Sequence, residues 1–106
     1  MTPPDGTLTV GVEHLAEGQV LATVAGELDY GNADRLTDRL GPETGPGRML
    51  LDLGGLEFCD SIGLNAIVRL WKRMHEAGGE LVVVRTSPLL TELMEITGLA
   101  ELLGAR

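Results

Sequence analysis

Asp60 and Ser61 are the residues whose types and placing best suit chemistry in this chain. They sit near the end of the run Asp52-Leu53-Gly54-Gly55-Leu56-Glu57-Phe58-Cys59-Asp60-Ser61-Ile62-Gly63-Leu64, which passes from an apolar strand through a short loop into a helix. A serine at a helix start lies at the positive end of the dipole, beside N–H groups with no intrahelical acceptor. Such a site tolerates a phosphate on the hydroxyl and also presents the hydroxyl to a partner. Asp60 has two compatible roles. It can cap the helix, typically worth ~1 kcal/mol, or it can orient the Ser61 hydroxyl toward a modifying enzyme. Ile62 projects onto the polar side of the helix, either as a partner contact or as a staple folded back toward Phe58. Gly63 reads as a packing residue or as one that lets a partner approach the backbone.

Other chemistry is poorly supported. Ser61 with Asp60 and a histidine would suggest a hydrolase, but no Gly-x-Ser-x-Gly elbow surrounds Ser61. His75 falls about 20 Å further along the helix, and His14 belongs to the first hairpin, so both are expected at the surface. No Gly-x4-Gly-Lys-[Ser/Thr] loop is present, and no cofactor is expected. Cys59 is the only cysteine, which rules out an internal disulfide and a multi-cysteine metal site. It reads as a small buried thiol rather than a redox sensor, and it suits a reducing, cytoplasmic setting. Trp71 and the methionines read as core.

The 106 residues fit one domain, residues 1–106, with 1–7 as a loose N-terminal leader. A chain 43% hydrophobic and 23% charged should fold. Its net charge of -8 argues against nucleic acid and against an anionic membrane surface as partners. No apolar run is long enough to span a bilayer, and no signal peptide is visible.

The elements that must position Ser61 follow from periodicity and punctuation. Leu8 to Glu13 alternates as a strand, a turn covers 15–18, and Gln19 to Ala25 forms a second strand ended by Gly26. Asn32 to Leu40 reads as a helix with Asn32 as N-cap and Asp34 in its first turn. The stretch 41–47 breaks regular structure. Met49 to Leu53 and Leu81 to Val84 read as strands buried on both faces. Gly54 and Gly55 permit a tight turn out of the first of these. Ile62 to Ala77 is the long helix, stopped by Gly78-Gly79. Leu64, Ile67, Leu70, Trp71 and Met74 share its inward side, while Asn65, Arg69, Lys72, Arg73 and Glu76 share a solvated side with pairing such as Lys72 to Glu76. Ser87-Pro88 starts a last helix, ended near Thr97 by Gly98. Leu99, Leu102 and Leu103 then pack a short tail. The expected fold is α/β, with a mixed central sheet, an antiparallel first hairpin and helices mainly on one face.

The run from Asp52 to Leu64 resembles the phosphorylation-site signature of STAS domains, most nearly the stand-alone bacterial anti-sigma factor antagonists. Gly26-Glu27-Leu28-Asp29 resembles the segment after their second strand. Gly78-Gly79-Glu80-Leu81-Val82-Val83, followed by Leu93 and Thr97-Gly98-Leu99, is a third match. The resemblance covers roughly residues 8 to 103. It implies a non-catalytic partner switch that binds an anti-sigma factor serine kinase, releases it once phosphorylated, and is reset by a serine phosphatase. Carried over, the phosphoacceptor is Ser61, and Asp29 lies beside it on the same rim. The partner-binding set is then Asp29, Asp60, Ser61, Ile62, Gly63 and Asn65. Ile62 stands where many relatives have a small or hydroxyl residue, and the chain stops at Arg106 where many continue. STAS domains also serve as interaction modules of transporters, lipid-trafficking complexes and stress-signalling assemblies without phosphoswitching. The Asp-Ser pair and the lack of a fused segment favour the free-standing antagonist.

Overall fold

The computed structural model describes residues 8–99 and 101. Leader residues 1–7 and the tail positions Leu102 and Leu103 lie outside the described residues. Four strands form a sheet in the order β1 (Thr9–His14), β2 (Gln19–Leu28), β3 (Arg48–Cys59), β4 (Glu80–Thr86). The β1–β2 pair is antiparallel, and β2–β3 and β3–β4 are parallel. Helix α1 (Ala33–Leu40) with a short 3-10 turn (Gly41–Glu43) carries β2 into β3, α2 (Ser61–Glu76) carries β3 into β4, and α3 (Pro88–Thr97) follows β4. The expected mixed sheet with an antiparallel first hairpin is what forms.

One sheet face makes the core. Ala22, Val24, Met49, Leu51, Leu53, Leu81 and Val83 lie buried with Leu36 and Leu40 of α1 and Leu64, Ile67, Leu70 and Met74 of α2. The other face stays partly open, which corrects the expectation of strands buried on both sides. Leu50 and Val82 are half-buried, and Val84 is 45% exposed. A long apolar run marks a central strand, but among the described residues only one side of it is covered by helices. Trp71 is likewise half-buried rather than core, stacked on the ring of His75 with centroids 5.3 Å apart.

Both central strands run further than expected. β2 continues past Gly26 to Leu28, and β3 continues past Leu53 to Cys59. Residues 55–59 pair with Ala25 to Leu28 through irregular register. The glycines at 54 and 55 therefore lie inside a strand, not in a tight turn. A Cβ on Gly55 would stand 2.8 Å from the Ala25 Cβ, and one on Gly54 would stand 2.9 Å from the Arg85 guanidinium. Close approach, not turning, needs glycine at 55, where the Ala25 Cβ cannot yield, whereas the exposed Arg85 head beside Gly54 can move aside. The extension delivers Asp60 and Ser61 to the rim at the end of β3.

Candidate functional site

The site is built where β3 hands over to α2. Cys59, the last strand residue, is buried, and its thiol donates weakly to Asp60 O at 3.5 Å. Burial, with a smaller push from the Asp60 charge, raises this thiol to about 11. It stays protonated at neutral pH and inert, as a packing thiol should. Asp60 then takes an extended conformation as N-cap of α2.

Both Asp60 carboxylate oxygens are engaged. Oδ1 accepts from Gly63 N at 2.7 Å, and Oδ2 accepts from Tyr30 N at 2.9 Å. Asp60 N donates to Leu28 O at 3.2 Å, and Leu64 N donates to Asp60 O at 2.9 Å. The capping role is therefore present in the structure. The second oxygen holds the turn after β2, and no hydrogen bond joins Asp60 to the Ser61 hydroxyl among the described residues.

Ser61 is the first residue of α2 and is exposed. The cap serves Gly63 N, so the N–H groups of Ser61 and Ile62 point out of the helix without an intrahelical acceptor. Ile62 is 50% exposed and Phe58 is 46% exposed, so Ile62 is not a buried staple. Asn65 is exposed one turn on. Gly63 is the inward member of the set. It is buried, and a Cβ there would meet Leu28 Cγ and Leu28 O at 2.7 Å. Its lack of a side chain lets α2 start against β2, so the close approach is made by Leu28 within the fold.

Asp29 is half-buried in the adjoining turn, where its Oδ1 accepts from Gly31 N at 2.9 Å. Asn32 corrects the sequence reading. It makes no side-chain cap to α1. It is 2% exposed, its Oδ1 accepts from Asp29 N at 2.9 Å, and its Nδ2 donates to Glu27 O at 3.0 Å. Two backbone bonds, Asn32 N and Ala33 N to Asp29 O, complete the turn. An asparagine is spent on bracing this turn, and the brace sets Tyr30, 79% exposed, next to the α2 start. Tyr30 was missed by pattern reading, although it is the one tyrosine in the chain and sits between Asp29 and Gly31.

The structure does not bring the remaining candidates to Ser61. His14 hydrogen-bonds Glu43 at 2.7 Å, and His75 stacks on Trp71. Lys72 and Glu76 form no ion pair among the described residues. No group of three or more His, Cys, Asp or Glu side chains is placed to hold a metal among the described residues. No helix among them is long and apolar enough to cross a membrane. What the site offers is an accessible hydroxyl at an amide-rich helix opening, with the exposed Ile62 next in sequence and the backbone of the exposed Tyr30 tied to Asp60.

Comparison with known proteins gives the site its context. The sequence matches the STAS domain over residues 13–105. It is 32% identical over 88 residues to the anti-sigma-B factor antagonist of Bacillus subtilis, covering 82% of this chain and 81% of that protein. It is 28% identical over 99 residues to the anti-sigma F factor antagonist of Paenibacillus polymyxa, covering 91% of this chain and 84% of that one. The crystal structure of an anti-sigma factor antagonist from Mycobacterium paratuberculosis superposes with a TM-score of 0.77 at 27% identity, covering 95% of this chain and 86% of that one.

Proposed function

The chain belongs to the STAS domain family, and on that premise we propose that it is an anti-sigma factor antagonist that works as a partner switch controlled at Ser61. Unmodified, it binds an anti-sigma factor that is also a serine kinase. Phosphorylation of Ser61 releases that partner, and a serine phosphatase restores binding. The protein acts without catalysis of its own, in the cytoplasm. The observation that carries this reading is the exposed Ser61 at the first position of α2, beside an aspartate whose carboxylate is already committed to the backbone.

The physics of the switch follows from that geometry. A phosphate adds about -1.5 to -2 charges at neutral pH. The outward N–H groups at the α2 start favour that charge, so the scaffold accommodates it. A partner surface fitted to a neutral hydroxyl does not, because the new charge adds repulsion beside Asp60 and resists desolvation. Each loss of about 1.4 kcal/mol weakens binding tenfold. Tyr30, Phe58 and Ile62 supply the apolar contact around the hydroxyl, and Asp29 and Asn65 the polar edge.

Incubation with candidate anti-sigma kinases and ATP, followed by mass spectrometry, tests the reading. Phosphate is expected on Ser61, with release of the kinase. Binding that Ser61→Ala and Ser61→Asp leave equally strong would overturn it.

A further inference from the structure

The open face of the sheet carries an ordered pattern that the Ser61 switch does not use. Three rows cross it, set by strand register. The middle row is Glu13, Leu21, Leu50 and Val82, with Val84 added where β4 bulges. The row on one side is Gln19, Arg48 and Glu80, and the row on the other is Gly11, Thr23, Asp52 and Arg85. Each outer row holds an ion pair: Arg48 Nε to Glu80 Oε1 at 3.0 Å, and Arg85 to Asp52 at 3.6 Å. Along β3 the face therefore reads positive, apolar, negative. Along β4 it reads negative, apolar, positive.

This pattern is complementary to its own reversal. We propose that the open face is a homodimer interface, with a second copy of the chain packed face to face about a twofold axis lying along the Leu21–Leu50–Val82 row. That axis reverses the strands. It places Arg48 over Asp52 of the second copy and Glu80 over Arg85 of the second copy, and the reciprocal contacts follow from symmetry. Each intrachain pair then faces a pair of opposite order, so four charges alternate at both ends of the interface. Leu21, Leu50, Val82 and Val84 of the two copies meet between them, and the exposed Glu13 faces its own symmetry mate at the β1 end of the row, where solvent screens the two charges. A twofold running along β3 itself would instead set Arg48 over Arg48 and Asp52 over Asp52, and like charges facing across an interface disfavour that arrangement. The apolar row is short, so the dimer is weak and reversible. Ser61 lies on the rim at the end of β3 rather than on this face, so dimerisation leaves the switch accessible, and the two proposals stand or fall separately.

Sedimentation of the full chain, from about 10 µM to about 1 mM at low salt, tests the interface. Reversible monomer–dimer behaviour is expected, weakening as salt rises. Glu80→Arg and Arg85→Glu alter side chains that are 58% and 70% exposed, so each variant should keep its fold, checked by circular dichroism. Each alone should self-associate at least about tenfold more weakly, since arginine then faces arginine, or glutamate faces glutamate. An equimolar mixture should regain dimer, because the two variants complement each other. Val84→Lys, which leaves both ion pairs intact, should also weaken dimerisation and stands in if a charge variant misfolds. Ser61→Asp should leave it unchanged. A wild-type chain monomeric throughout, single variants that associate like wild type, or folded variants that fail to complement would each overturn the proposal.

Discussion

Helices α2 and α3 start alike and end up with opposite uses for serine. Each follows a parallel strand, and each has an N-cap side chain that accepts from the third helical N–H: Asp60 from Gly63 at 2.7 Å, and Ser87 from Leu90 at 3.3 Å. At α3 the serine is the cap. It is 6% exposed, and Pro88 follows it. At α2 the cap is an aspartate, and the serine stands one position later, in solvent. A shift of one residue relative to the cap separates a structural hydroxyl from a displayed one. The third positions differ as well. Leu90 fills the core, whereas the site of Gly63 is already occupied by Leu28.

Substitutions at these matched positions sharpen the contrast, and the largest effects belong to the third positions. Leu90→Ala should lower unfolding free energy by about 2–5 kcal/mol in denaturant melts, because a fully buried side chain leaves a cavity. Gly63→Ala should cost about 1–3 kcal/mol despite alanine's better helix propensity, since Leu28 O is backbone and cannot yield. At the caps, Ser87→Ala should cost ~1 kcal/mol. Asp60→Ala should cost at least as much, because its second oxygen also holds Tyr30 N. Ser61→Asp should barely move the melting transition yet reduce partner binding at least about tenfold by calorimetry. A Ser61→Asp chain that melts early would erase the contrast by making Ser61 structural.

The remaining effect is absent at neutral pH and concerns Cys59, the last β3 residue before the α2 cap. Its folded value, about 11, lies above the ordinary 9.0. The unfolded chain therefore loses the thiol proton first. The contribution to stability is complete below pH 9.0 and declines as pH rises toward 11. Melts across that range should show a decline that Cys59→Ala reduces, and the folded thiol should resist alkylation at pH 8 that the unfolded chain accepts.

Both helix starts were legible in the sequence because capping is local. Ser87-Pro88, the closing Gly98 at φ 77, and the Asp60-Ser61 junction need only a few neighbouring residues to act. The family motifs fell on the same elements, so the mixed α/β fold was legible too. The Asn32 brace was misread for a matching reason. Its side chain satisfies Glu27 O and Asp29 N in the preceding turn, and sequence spacing does not show that these outcompete the first amides of α1. The full reach of β3 was hidden because residues 55–59 have a mixed pattern and become strand only by pairing with β2.

By itself, then, the sequence determined the order of elements, the two caps, and the serine at the first turn of α2, since backbone hydrogen bonding and hydrophobic period act over a few residues. Tertiary structure alone decided which sheet face remains open, why residue 63 must lack a side chain, and how Tyr30 comes to be tied to Asp60. Those outcomes depend on strands far apart in the chain meeting in one register, where space filled by one segment is denied to another.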